Sequence, residues 1–270
     1  MKTSYLMEND DEIRRLEIKT DAAVVEGFAS RAGLRQGMRV ADVFCGSGLT
    51  TSILAGIVGD SGSAAGFDAS AERIAYARSH YGNERTLFHL ADAREPFAVR
   101  GDFDFVWARF ALEYFRKESF DIVRNLSSLL KEDGVLCLID LDHNCLNHFG
   151  MEERMEKALE SVIGQLEEKA NFDPYAGRKL YSHLYRLGFR GIRVEAGTHH
   201  LIYGALGEAD RFNWVKKIET ITRNTSTVVP GYASNGEFRD DFMRFFEDPG
   251  RFTYTPIIAC SGRKPPELST

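Results

Sequence analysis

Arg39-Val-Ala-Asp-Val-Phe-Cys-Gly-Ser-Gly-Leu-Thr-Thr51 is the stretch from which the rest of the chain is read. Val40, Val43 and Phe44 supply a short apolar strand, Gly46-Ser47-Gly48 a tight turn, and Leu49 through Ala55 the start of a helix. A strand that turns on glycines into a helix is a nucleotide-type site. Glycine lets the backbone approach a ligand closely, and the first N–H groups of a helix have no partner within it. Asp68 closes a second apolar stretch, Ala64-Ala65-Gly66-Phe67, twenty residues after Gly48. A carboxylate at that spacing accepts the hydroxyl protons of a ribose.

Two details separate the nucleotides that fit. A dinucleotide fingerprint places a third glycine three residues after the second, and Thr51 stands there. That fingerprint also needs no acid within the first strand, whereas Asp42 lies three residues before Cys45. Asp42, Gly46 and Gly48 together resemble the first motif, acidic-x-x-x-Gly-x-Gly, of the class I S-adenosylmethionine-dependent methyltransferases. The chain is similar to the small-molecule, quinone- or secondary-metabolite-type branch of that family. Phe44 departs from the pattern, since the family usually carries glycine there, and a bulky residue would narrow the floor of the methionine pocket.

The resemblance covers residues 36–140 through motifs and 175–262 through the order of elements. It implies S-adenosylmethionine as cofactor and S-adenosylhomocysteine as product. The implied cofactor set is Tyr5, Asp42, Cys45, Gly46, Ser47, Gly48, Asp68, Ala69, Arg73, Ala91, Asp92, Ala93, Arg109 and Phe110. Within it Asp92 accepts the adenine amino proton and Arg109 and Phe110 cover the cofactor; Tyr5 reads equally as a lid over the cofactor or as a surface tether. Tyr114 and Glu113 reach the substrate, in an Arg-x-x-Leu-Glu-Tyr segment similar to a family pattern that ends in histidine. Methyl transfer from a sulfonium is an in-line displacement, accelerated chiefly by alignment. A hydroxyl or carbon-acid acceptor also needs a base. His143, just past the fifth strand, is the first candidate, followed by Glu113 and the pair His199-His200. The acceptor is expected to be a small molecule. A non-catalytic S-adenosylmethionine-binding scaffold of the same fold is the alternative. An NAD-dependent oxidoreductase is disfavoured by Thr51 and by the lack of a hydride-transfer constellation such as Tyr-x-x-x-Lys. No (Asn/Asp)-Pro-Pro-(Tyr/Phe) motif of the enzymes that methylate DNA amino groups follows the fourth strand, and Asp173-Pro174-Tyr175 reads as a helix-start turn.

The 270 residues are 43% hydrophobic and 27% charged, enough for one large globular unit with an elaboration. A net charge of −6 without a basic block argues against a nucleic-acid partner. The acidic N-terminus does not read as a signal peptide, and no apolar run of about twenty residues is present to span a membrane. Cys45, Cys137, Cys145 and Cys260 lack metal-ligand spacing, so no metal is expected. A cytoplasmic enzyme is the resulting expectation, with a homodimer possible through Met155, Leu159 and Leu166 if these are not core.

The element order predicts an α/β fold, a doubly wound Rossmann-like sheet of seven mostly parallel strands with helices on both faces and helical inserts. Residues 1–35 form an N-terminal helical lid, with a cap at Asn9 to Glu12 and one helix from Ile13 to Phe28 that Gly33 ends. Residues 36–145 form the cofactor core. Residues 146–180 are a helical substrate cover, and 181–263 complete the sheet with a second helical insert at about 207–250.

Overall fold

The computed structural model describes residues 12–224 and 228–266. Tyr5 and most of the expected first cap lie outside the described residues. In chain order the elements are α1 (Glu12–Lys19), α2 (Ala22–Ala32), β1 (Arg39–Val43), α3 (Leu49–Val58), β2 (Ser63–Asp68), α4 (Ala71–Tyr81), β3 (Thr86–Leu90) and β4 (Phe103–Arg109). A 3-10 turn (Leu112–Tyr114), α5 (Ser119–Leu129), β5 (Leu130–Leu141), β6 (His148–Phe149), α6 (Glu153–Lys169) and α7 (Ala176–Arg186) follow. The chain then runs through β7 (Arg190–Tyr203), α8 (Glu208–Asn224), α9 (Asn235–Glu247) and β8 (Phe252–Arg263).

Local chemistry sets these boundaries. The expected single N-terminal helix is two, because Asp21 caps α2 by accepting hydrogen bonds from Ala23 N (2.9 Å) and Val24 N (3.4 Å). Gly33 ends α2 as expected, in the left-handed conformation with φ +107°. Ser70 caps α4 through Arg73 N. His199 to Tyr203 do extend the strand that begins near Ile192, giving the fourteen-residue β7.

Eight strands form one sheet in the order β3-β2-β1-β4-β5-β8-β6, with β7 on the remaining edge of β8. The pairs from β3 to β5 are parallel, and β8 runs antiparallel to β5, β6 and β7. The strand beyond the expected seven is β6, two residues long. Parallel strands need both faces covered, and two apolar clusters do this. Val106, Leu136 and Leu138 pack with Ile122, Leu126 and Leu180 on one face. Phe105, Trp107 and Ile139 pack with Val25, Leu54 and Val58 on the other.

The two helical inserts pack on each other as one unit. Met155, Leu159, Val162 and Leu166 of α6 meet Trp214 and Ile218 of α8 and Phe238, Phe242 and Phe246 of α9. Met155, Leu159 and Leu166 are 4% exposed or less, so they are core and offer no dimer surface. Each such buried side chain contributes about 1.5–3 kcal/mol, which lets the unit hold its shape above the sheet.

Candidate functional site

A cavity of about 580 Å³ opens at the carboxyl ends of β1, β2, β3 and β4. This is where a doubly wound sheet binds ligands, and the volume is that of an ordinary small-molecule site. The end of β1 lends Asp42 and Phe44 to Ser47, the end of β2 lends Asp68 to Ser70, and the end of β3 lends Leu90 to Asp92. Beyond β4 come Arg109 to Ala111, Tyr114 and Phe115. Arg15, Leu16 and Thr20 close one side from the α1 region, and Ala170 lines it from the end of α6.

The glycine turn is fixed by contacts on both sides. Gly46 N donates to Asp68 Oδ2 at 3.0 Å, and a Cβ on Gly46 would stand 2.8 Å from the Leu16 side chain, so α1 rests on the turn. Gly48 has φ +90°, and a Cβ there would lie 2.7 Å from Ala77 Cβ and 3.0 Å from the Phe88 ring. Phe44 adopts φ +66°, a left-handed conformation in which a bulky residue is strained. Glycine adopts that backbone without cost. The Phe44 ring lines the cavity and packs on Phe115 at 5.6 Å.

Asp68 accepts from Ser70 N (2.9 Å), Arg73 Nε (3.2 Å) and Arg73 Nη2 (3.1 Å) on Oδ1, besides Gly46 N on Oδ2. Asp92 is held by Arg94, whose Nη2 approaches Oδ2 to 2.6 Å. Asp42 is 2% exposed and accepts the Thr51 hydroxyl at 2.7 Å, so the residue in the third-glycine position serves as that acid's partner. Burial pushes the Asp42 carboxyl up to about 7, against the Thr51 hydrogen bond and the Arg109 charge. Burial pulls the Arg109 guanidinium down to about 10, against the charges of Asp42 and Asp21. Arg109 Nη2 donates to Thr20 Oγ1 at 3.2 Å, and its guanidinium lies 4.8 Å from the Phe110 ring centre.

The Asp42 shift has a sign that can be measured. Its carboxyl binds a proton more tightly in the folded chain (about 7) than in the unfolded one (3.8). Stability from this group is therefore complete below the lower value and is lost as pH rises through the upper one, at up to about 1.4 kcal/mol per pH unit. Asp42→Asn, which keeps an acceptor for Thr51, is expected to remove that loss. Thermal midpoints of the two proteins should diverge in favour of the variant from about pH 4 to about pH 7 and run parallel above that. Curves parallel over the whole range would show Asp42 to be ionised throughout.

Most of the expected cofactor set meets at the cavity: Asp42, Cys45, Gly46, Ser47, Asp68, Ala69, Arg73, Ala91, Asp92, Arg109 and Phe110 all line it. Gly48 and Ala93 do not. Gly48 shapes the turn from behind, and Ala93 is buried with its carbonyl accepting from Asn125 Nδ2 at 3.0 Å. Of the expected catalytic residues, only Tyr114 is on the cavity wall. Glu113 is 1% exposed, and its Oε2 accepts from Asn144 Nδ2 at 2.6 Å. Its backbone N–H donates to Asp140 Oδ2 (3.2 Å), whose carboxyl burial and the Glu113 charge hold well above the usual range. Glu113 thus ties the loops after β4 and β5 together. His143 has φ +48° and sets its ring edge-on against Tyr175 at 5.1 Å, outside the cavity lining. His199 sits behind Phe110, ring to ring at 4.7 Å.

Several lining residues carried no sequence signal. Trp107 reads as strand core, is fully buried, and has an indole N–H without a partner among the described residues. Arg94 was findable as a cation two residues after Asp92. Arg15, Thr20 and Ala170 arrive from distant segments and need the fold to bring them in.

Residues 40–134 match a family model described as a methyltransferase domain. No curated protein matches the chain. Among solved structures, phosphoethanolamine N-methyltransferase 2 of Haemonchus contortus, in complex with S-adenosyl-L-methionine, is similar at TM-score 0.61 and 17% identity. The match covers 95% of this chain and 57% of that one. The YcgJ protein of Bacillus subtilis is similar at TM-score 0.60 and 16% identity, over 91% of this chain and 99% of that one. The cyclase SpnF is similar at TM-score 0.54 and 18% identity, over 90% and 81%. At these identities the likeness is one of fold.

Proposed function

With a methyltransferase domain at residues 40–134 and the fold of the class I S-adenosylmethionine-dependent methyltransferases as the premise, we propose that the chain binds S-adenosylmethionine in this cavity and transfers its methyl group to a small molecule. The observation that carries the proposal is the meeting, in one cavity, of the glycine turn, Asp68 and the separated pair Asp42 and Arg109. An α-amino acid presents an ammonium and a carboxylate together. Asp42 suits the first and Arg109 the second, and each ligand group offsets the burial of the side chain it meets.

The ribose falls to Asp68. Its Oδ1 is saturated by three donors, but Oδ2 accepts only Gly46 N among the described residues and keeps a lone pair for a hydroxyl. Asp92 and Arg94 stand at the adenine end, where the amino group would share the carboxylate with the guanidinium. Phe44, Phe110, Tyr114 and Phe115 offer aromatic faces to the sulfonium, whose charge disappears on transfer. His143 and Glu113 lie off the wall, so the proposal gives them no proton to move. It favours an acceptor that already carries a lone pair, with alignment supplying the rate. Closure by α1 and Ala170 favours a small acceptor over a macromolecular one. Among the described residues no helix is long and apolar enough to cross a membrane.

Calorimetric titration with S-adenosylmethionine, S-adenosylhomocysteine and NAD tests the first half. Micromolar binding of the first two without the third is expected, and NAD binding alone would overturn the cofactor. A panel of amine, thiol and hydroxyl acceptors with labelled cofactor tests the second half. Binding without transfer to any of them would favour the non-catalytic scaffold, a reading kept in view by Phe44 and by the absence of His143 and Glu113 from the cavity wall.

A further inference from the structure

Phe149, Phe252 and Tyr203 stand in one line across β6, β8 and β7, each directly opposed to the next. Opposed residues of antiparallel strands share a face. Leu201 and Tyr254, opposed two positions along, continue it. The intervening side chains, Ile202 and Thr253, point the other way and are buried over the helical unit. The row itself is open, with Phe149 75%, Tyr203 66%, Leu201 56%, Phe252 41% and Tyr254 41% exposed.

The cause lies in strand length. β7 and β8 outrun the parallel sheet, since β8 pairs with β5 only from Ile257 onward. α7 covers that end, where Gly177 packs against Ile258, and leaves the row beyond it open. At these exposures the five side chains present roughly 500 Å² of surface, near the upper limit of a single apolar patch on a soluble monomer.

We infer that this face is the two-fold interface of a homodimer, the row of one copy packing on the row of another. Two such patches would remove about 1,000 Å² from water, the least that a specific interface needs before its rim is added. A two-fold contact places the same surface on both sides, and this row contains no charged residue to meet its own copy. The chain's net charge of −6 does not suit an anionic lipid surface.

Sedimentation equilibrium of the full chain tests this. The expected result is a dimer at about 10 μM whose dissociation constant rises at least about 100-fold in Phe149→Asp/Tyr203→Asp. Leu201→Lys should weaken it in the same sense. Tyr185→Asp, an exposed aromatic outside the row, should leave the dimer intact. Far-ultraviolet circular dichroism and S-adenosylhomocysteine binding should be unchanged throughout, because none of these residues lines the cavity. A wild-type monomer at about 100 μM, or a dimer indifferent to the double variant, overturns the inference. So does a monomer that floats with neutral phosphatidylcholine vesicles, which would give the face to lipid.

Discussion

Asp68→Ala is expected to abolish S-adenosylmethionine binding, raising the dissociation constant at least about 100-fold, and to lower the thermal midpoint by roughly 10 °C. Both effects follow from one carboxylate with four donors on it. Arg73 and Asp68 have side chains only 11% and 8% exposed. Removing the acid breaks a nearly buried ion pair, at about 3–5 kcal/mol, and about 2–4 °C is lost per kcal/mol in a chain of this size. The same deletion frees Gly46 N, so the turn loses the hydrogen bond that sets its height against β2. Calorimetry and a thermal scan read the two losses separately. Asp68→Asn divides them further: an amide keeps one acceptor for Gly46 N but not the charge, so it should recover more binding than stability. An Asp68→Ala protein that binds with parental affinity would remove the ribose from this carboxylate and with it the proposed pose.

The contrast between Asp68 and Glu113 shows what the sequence can convey. The place of Asp68 on the cavity wall was legible because it depends on local spacing: a strand end, twenty residues from a glycine turn, in a fold whose crossovers bring those ends together. Asp42 was legible for the same reason. Glu113 sits in an equally plausible segment, but a 3-10 turn rotates it inward toward Asp140 and Asn144. No periodicity in the sequence encodes that rotation. His143 is turned aside by a left-handed backbone that the sequence did not announce, since left-handed residues are usually glycine or asparagine. The inserts were visible as helices from their apolar spacing. That α6, α8 and α9 share one core was not, because spacing records that a face is buried and not against what. Arg109 is the intermediate case. Its place after β4 was readable, whereas its strong desolvation depends on Thr20 and Phe110 closing around it.

Gly48→Ala is expected to cost about 3 kcal/mol of folding stability, and Gly48→Val to prevent folding at 37 °C, although neither change touches the cavity wall. Two penalties add at this position. The backbone at φ +90° is outside the range L-residues favour, at roughly 1–2 kcal/mol. A Cβ also meets Ala77 Cβ at 2.7 Å and the Phe88 ring at 3.0 Å, between α4 and β3, in a packed cluster with Ile74 and Cys45. Such overpacking costs about 1–3 kcal/mol. A double-mutant cycle separates the two. Ala77→Gly alone should cost about 1 kcal/mol, as glycine does inside a helix. Combined with Gly48→Ala it should cost less than the sum by about 0.5–3 kcal/mol, because the removed methyl makes room for the added one. Denaturant melts of the four proteins give the coupling directly. Strict additivity would place the whole cost in the backbone angle, and α4 would then be a bystander to the turn. A favourable coupling would show instead that the Gly-x-Gly turn is demanded by the helix packed behind it as well as by the ligand in front.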